Sequence, residues 1–107
     1  SMTGPGNEPA SSNAFVLAED QSRWTFQGDL TFHNAAAVLA ASERLALPAS
    51  GRIEMSGVAA ADSSALAVLL ALKRRASASG QPLQVEALPE SLAALARVYG
   101  IESLLGV

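Results

Sequence analysis

From Asp62 to Gly80 the chain reads DSSALAVLLALKRRASASG, and this stretch limits the available folds more than any other. At about 100° per residue, Ala65, Val68, Leu69, Leu72 and Ala76 share one side of a helix running from about Ser63 to Ser79. That side is wide enough to cover a sheet. Leu66 and Leu70 form a second i, i+4 pair turned away from its centre and flanked by Ala67 and Ala71. Charges enter only at Lys73, Arg74 and Arg75, in the last turns, where they suit the negative end of the helix dipole. Gly80 supplies the residue that ends the helix. A helix this apolar needs cover on more than one side. Either a second helix of the same domain packs on Leu66 and Leu70, or the pair stays exposed as a contact face for a partner.

The flanking segments supply the sheet. FVLAE (Phe15–Glu19) reads as a strand followed by a turn at DQSR. RWTFQGDL (Arg23–Leu30) alternates, Trp24 and Phe26 to one side and Arg23, Thr25 and Gln27 to the other, so the two strands form a hairpin. Phe32–Leu47 is rich in Ala and Leu and reads as a helix with Val38, Leu39, Ser42, Leu45 and Ala46 inward and Pro48 after its end. GRIEMSGV is a third strand with Ile53 and Met55 inward, and GVAAA is the loop that leads into the long helix. PLQVEAL is a fourth strand with Leu83, Val85 and Ala87 on one face. PESLAALARVYG is a helix with Pro89 in its first turn and Leu92, Leu95, Ala96 and Tyr99 inward; Gly100 stops it and Ile101 packs back. ESLLGV makes one last short turn. The order ββαβαβα predicts an α/β fold, a mixed and largely parallel four-stranded sheet with helices laid on it.

Composition excludes several classes of function. A chain of 107 residues with 50% hydrophobic and 16% charged residues is one globular domain. Its net charge of -3 leaves no basic excess for a phosphate backbone, so no nucleic acid partner is expected. With no Cys and one His, neither a disulfide framework nor a metal site is expected. No apolar run reaches the roughly 18 residues that span a bilayer. SMTGPGNEPASSN reads as a disordered tail over residues 1–13, with Ser1 before Met2 as a tag remnant, so the domain is 14–107.

Chemistry concentrates at the start of the long helix. Asp62 or Ser63 stands where an N-cap belongs, and both side chains accept hydrogen bonds from free first-turn amides. Ser63 also stands where added phosphate is tolerated, because the dipole and the amides favour negative charge. Enzymatic readings have little behind them. No spacing places His33 beside Ser63 and Asp62 as a triad, and His33 reads as a solvated or capping residue. No phosphate-cradling glycine loop occurs. Lys73, Arg74 and Arg75 read as a solvated helix end, and Trp24 and Tyr99 as core or half-buried, with Tyr99 also placed to lie on a partner surface.

Taken together, QGDLTF, SGVAAADSSALAVLLALKRRASASG and LPESLAALARVYGIESLL resemble the STAS domain across nearly the whole folded chain. The resemblance implies a mixed sheet covered by helices on one side. It also implies one of two roles. In the anti-sigma-factor antagonists, the serine at the position of Ser63 is phosphorylated by a kinase, which switches off binding. In the MlaB-type subunits of phospholipid transporters, a hydroxyl at that position lies in the surface that docks on the ATPase. Two departures favour the second role: Thr31 stands where the antagonist pattern GELD has its Asp, and Ala65 stands where DSSG has its Gly. The resemblance thus implies a non-catalytic subunit without cofactor, bound to a MlaF-like ABC ATPase at the cytoplasmic face of a Gram-negative inner membrane. Membrane attachment would be indirect, and nothing indicates a homodimer. Thr31, Asp62, Ser63, Ser64, Leu66 and Leu70 are the expected partner-binding residues.

Overall fold

Alternation of apolar and polar residues in RWTFQGDL makes this segment the strand on which the sheet is built. The structure, a computed structural model, describes residues 13–107. The expected tail lies outside the described residues as far as Ser12, and Asn13 is already tied in, its Oδ1 accepting from the Asp29 amide at 2.8 Å. Strand β1 (Ala14–Leu17) runs antiparallel to β2 (Arg23–Leu30), with Phe15 opposite Phe26 and Leu17 opposite Trp24. The Phe15 ring packs edge-on against Phe26 at 5.0 Å and tilted against Trp24 at 5.4 Å. Trp24, Phe26 and Leu30 are fully buried.

Helix α1 (Ala35–Ser42) is shorter at both ends than the sequence suggests. At its start Thr31–Asn34 folds as a turn instead. At its end the chain tightens into i→i+3 turns at residues 43–45, and core side chains take carbonyls of this segment. Trp24 Nε1 donates to Ala46 O at 2.9 Å, and Arg75 donates to Ser42 O at 3.1 Å and Leu45 O at 2.8 Å. A buried indole N–H must be paired, and this carbonyl satisfies it. Ala46 therefore serves through its backbone; its side chain is exposed and leaves the expected inner stripe.

The sheet has five strand segments, because the third of the four expected strands is longer than expected and is broken in two. Strand β3 (Arg52–Glu54) pairs in parallel with the first half of β2, and β4 (Val58–Ala61) pairs in parallel with its second half. They are one strand interrupted by a bulge at residues 55–57, so the segment read as a loop extends the sheet. Ala carries little strand preference by itself, and pairing with β2 overrides it. At the bulge Gly57 lies against the Phe26 carbonyl, where a Cβ would collide with that oxygen. Strand β5 (Gln84–Glu86) adds to β3, giving the order β1-β2-β3-β5 with β4 beside β2. Ala87, expected on the inner face, has φ 56° and is exposed, because the chain leaves the strand there.

Helix α2 (Ser63–Ala78) packs against α1, α3 (Glu90–Tyr99) and α4 (Glu102–Leu105). These neighbours resolve the two readings of its second leucine pair. Leu66 is 2% exposed and belongs to the core, so it is withdrawn from any contact face; Leu70 is half-buried. The inward stripe of α3 holds for Leu92 and Ala96 but not for Tyr99, which is 56% exposed at the helix end. Gly100, at φ 69°, ends α3 with its amide on Arg97 O, and the Ile101 amide reaches Ala96 O, the hydrogen-bond pair of a Schellman stop.

The helices cover one face of the sheet. Ile53 and Val85 are buried on the helix side, while Arg23, Gln27, Arg52 and Gln84 are exposed on the other. Ion pairs Arg23–Glu54 (3.4 Å) and Arg52–Glu86 (3.5 Å) lie across that open face. The bulge yields a stability test. Gly57→Ala is expected to cost roughly 1–3 kcal/mol, the usual range for overpacking. The measurement is the midpoint of urea unfolding at unchanged slope; an unaltered midpoint would mean that the bulge relaxes freely.

Candidate functional site

The end of β2, the turn at residues 31–34, the end of β4 and the first turn of α2 meet at one end of the sheet. The short polar side chains around them fix the backbone. Asp62 is the N-cap of α2: its Oδ1 accepts from the Ser64 amide at 2.8 Å. Its Oδ2 accepts from the Phe32 amide, thirty residues earlier, at 3.0 Å. The Ser64 hydroxyl faces the same carboxylate. These contacts, the Phe32 amide foremost, hold the Asp62 carboxyl below its ordinary value.

A second acidic side chain braces the other side of the turn. Asp29 Oδ1 accepts from the Ala60 amide in β4 at 3.1 Å, and Asp29 O accepts from Asn34 Nδ2 at 2.8 Å. Asn34 Oδ1 in turn accepts from the Thr31 amide at 3.0 Å, and Thr31 Oγ1 from the His33 amide at 3.3 Å. Thr31 is therefore spent inside the turn, half-buried, and shapes it more than it faces outward.

Ser63 is exposed at the first position of α2, while Ser64 is half-buried beside Asp62. Of the six expected site residues, Thr31, Asp62, Ser63 and Ser64 are brought together here. Leu66 is in the core, and Leu70 lies two turns along α2. Sequence reasoning overlooked Phe32. Its ring is 69% exposed and stacks on the His33 ring at 4.1 Å between centroids. An apolar residue just ahead of an alanine run reads as the start of the helix, and that masked it. The available signal was Asn34, a capping residue type placed after Phe32. His33 lies next to Asp62, yet among the described residues no hydrogen bond joins it to Asp62 or Ser63, and no triad forms. Among the described residues no group of three or more His, Asp or Glu converges as metal ligands. None of their helices is long and apolar enough to cross a membrane.

The family model described as Mlab, STAS domain, matches residues 14–106, and the chain belongs to that family. Domains of this family are in general not enzymes. No curated protein matches the chain.

Asp62 makes the site sensitive to acid in a predictable direction. A carboxyl held lower in the folded chain than its free value of 3.8 contributes stability at higher pH. That contribution is fully present above the unfolded value and is lost as pH falls through the folded one. Asp62→Asn keeps the shape but replaces one acceptor oxygen with a donor. Wild type is expected to exceed the variant in stability at about pH 6, with the gap shrinking progressively as pH falls below the free value of 3.8. Urea unfolding of both proteins across a pH series from about 6 downward measures it; a gap independent of pH would remove Asp62 from this role.

Proposed function

We propose that this chain is a non-catalytic STAS subunit that docks on the ABC ATPase of a Gram-negative phospholipid transport system and supports its activity. It would sit at the cytoplasmic face of the inner membrane, attached through that partner. The observation that carries the reading is the shared hold of Asp62 on two surface residues. One carboxylate fixes both the backbone that presents Phe32 and the helix start that presents Ser63. A docking surface benefits from such fixing, since less ordering remains to be done on binding. Phe32 supplies the exposed aromatic ring typical of an interface anchor, and Ser63 a hydroxyl beside it. The family match, carrying the description Mlab, supports the transporter branch.

A second reading keeps one observation of its own. Ser63 is exposed at the first turn of a helix of 16 residues, a setting that accepts a phosphate, as an anti-sigma-factor antagonist requires. Against it stand Thr31, with its hydroxyl engaged in the turn, and Ala65, whose methyl is fully buried where the antagonist pattern has Gly.

Co-expression with the ABC ATPase of the host's phospholipid transporter tests the docking. Ser63→Arg is expected to abolish co-purification while the melting temperature of the isolated chain stays put. Phe32→Ala should weaken the complex by roughly 2 kcal/mol, about thirtyfold in Kd, as for a central aromatic anchor. Undiminished binding by a folded Ser63→Arg variant would end this reading. Mass measurement after incubation with a cognate anti-sigma kinase and ATP addresses the other. A phosphate on Ser63 that releases a bound partner would favour the regulator.

A further inference from the structure

The outer face of α2 continues past the docking end. Leu70, Arg74 and Ser77 succeed one another at helical spacing, and Arg74 lies eleven residues, about three turns or 16 Å, beyond Ser63. With Lys73, Leu83 from the approach to β5, and Leu104 from α4, they line an open groove of about 640 Å³. That volume is in the range that holds small organic ligands.

Its walls are apolar, yet two cations enter it without an acid to meet them. The ion pairs among the described residues join Arg23 to Glu54, Arg52 to Glu86 and Arg97 to Glu90. Arg74 takes part in none of these and is exposed. Lys73 is half-buried, and its Nζ donates to the Leu83 carbonyl at 2.7 Å and the Leu105 carbonyl at 3.3 Å. Both acceptors are neutral, so they orient the ammonium without cancelling its charge. An ammonium has three N–H donors, and one is unspent. The third cation of the run, Arg75, is committed elsewhere, to the carbonyls of Ser42 and Leu45. A chain of net charge -3 thus keeps a local positive pair beside exposed leucine surface. Leu104 is 60% exposed.

We propose that this groove binds a single-chain anionic amphiphile, a long-chain carboxylate. The guanidinium of Arg74 would take the carboxylate, in the forked geometry that suits it, with the spare Lys73 N–H and the Ser77 hydroxyl as further donors. The alkyl chain would cover Leu104 and the exposed part of Leu70, along a floor that includes the buried Leu83. Charge complementarity and the apolar walls select this class together. A nucleotide would find no aromatic platform, since no Phe, Tyr, Trp or His lines the groove. A small hydrophilic anion would leave the leucines uncovered. The site is separate from the docking end, and its test does not depend on the ATPase.

The full chain is titrated with laurate below its micellar range and followed by amide chemical shifts and calorimetry, with dodecyltrimethylammonium and butyrate as comparisons. Saturable laurate binding is expected, with shifts centred on residues 70–77, 83 and 104, and much weaker binding of both comparison ligands. Arg74→Glu should weaken laurate binding about tenfold or more, the loss expected for a charge-assisted contact. Leu104→Ser should weaken it as well. Both positions are exposed, so the melting temperature of each variant is expected to match wild type. Equal affinity for the cationic amphiphile, unchanged affinity in Arg74→Glu, or shifts that map away from the groove would each overturn the proposal.

Discussion

A single carboxylate joins the end of the sheet, the turn after β2 and the start of the central helix. Asp62 starts α2 by accepting from the Ser64 amide, and it holds the turn after β2 by accepting from the Phe32 amide. Because Asp62 also follows β4 directly, the end of the sheet, the turn and the central helix share one anchor. Neither bond is unusual alone. Together they convert a local helix cap into a long-range constraint, and the placement of Ser63 and Phe32 follows from it.

Helix α2 carries this constraint into the rest of the fold. Its buried residues meet the core, and its neighbours α1, α3 and α4 account for apolar positions that a sheet alone would leave bare. The three consecutive cations near its end show how far a simple charge run can diverge in structure. Lys73 reaches carbonyls at Leu83 and Leu105, Arg75 reaches carbonyls at Ser42 and Leu45 and lies 6.0 Å above the Trp24 ring, and Arg74 stays exposed. Two of them knit loops to the helix, where a solvated helix end was the expectation. Arg75 and Trp24 also fasten the segment that follows α1, since both donate to its carbonyls.

What the sequence made legible was local. The cap at Asp62, the alternation of Trp24 and Phe26, and the Gly100–Ile101 stop depend on residues within a turn or a strand of one another. What it hid depended on distant partners. Val58–Ala61 has weak strand preference and becomes a strand only by pairing with Gly28–Leu30. Leu66 stands at the margin of the apolar arc, where periodicity cannot say whether a neighbouring helix arrives. Phe32 stands in the turn closed by Thr31 and Asn34, its amide held by Asp62, and that distant partner has no signature near Phe32 in the chain. Main-chain carbonyls, the partners of Lys73 and Arg75, carry no residue signature at all.

The same division explains why the docking end offers a surface and little chemistry. Asp29, Thr31, Asn34, Asp62 and Ser64 direct their polar groups at one another or at backbone amides and carbonyls. A carboxylate with both oxygens engaged by amides is a poor proton acceptor, since the amides favour its charged form. The groups left facing outward are a hydroxyl at Ser63 and the stacked rings of Phe32 and His33. Such a set has hydrogen-bonding capacity and apolar area on a backbone that is already fixed, which is what recognition of a folded partner uses. The polar network behind it is thus the scaffold of an interface.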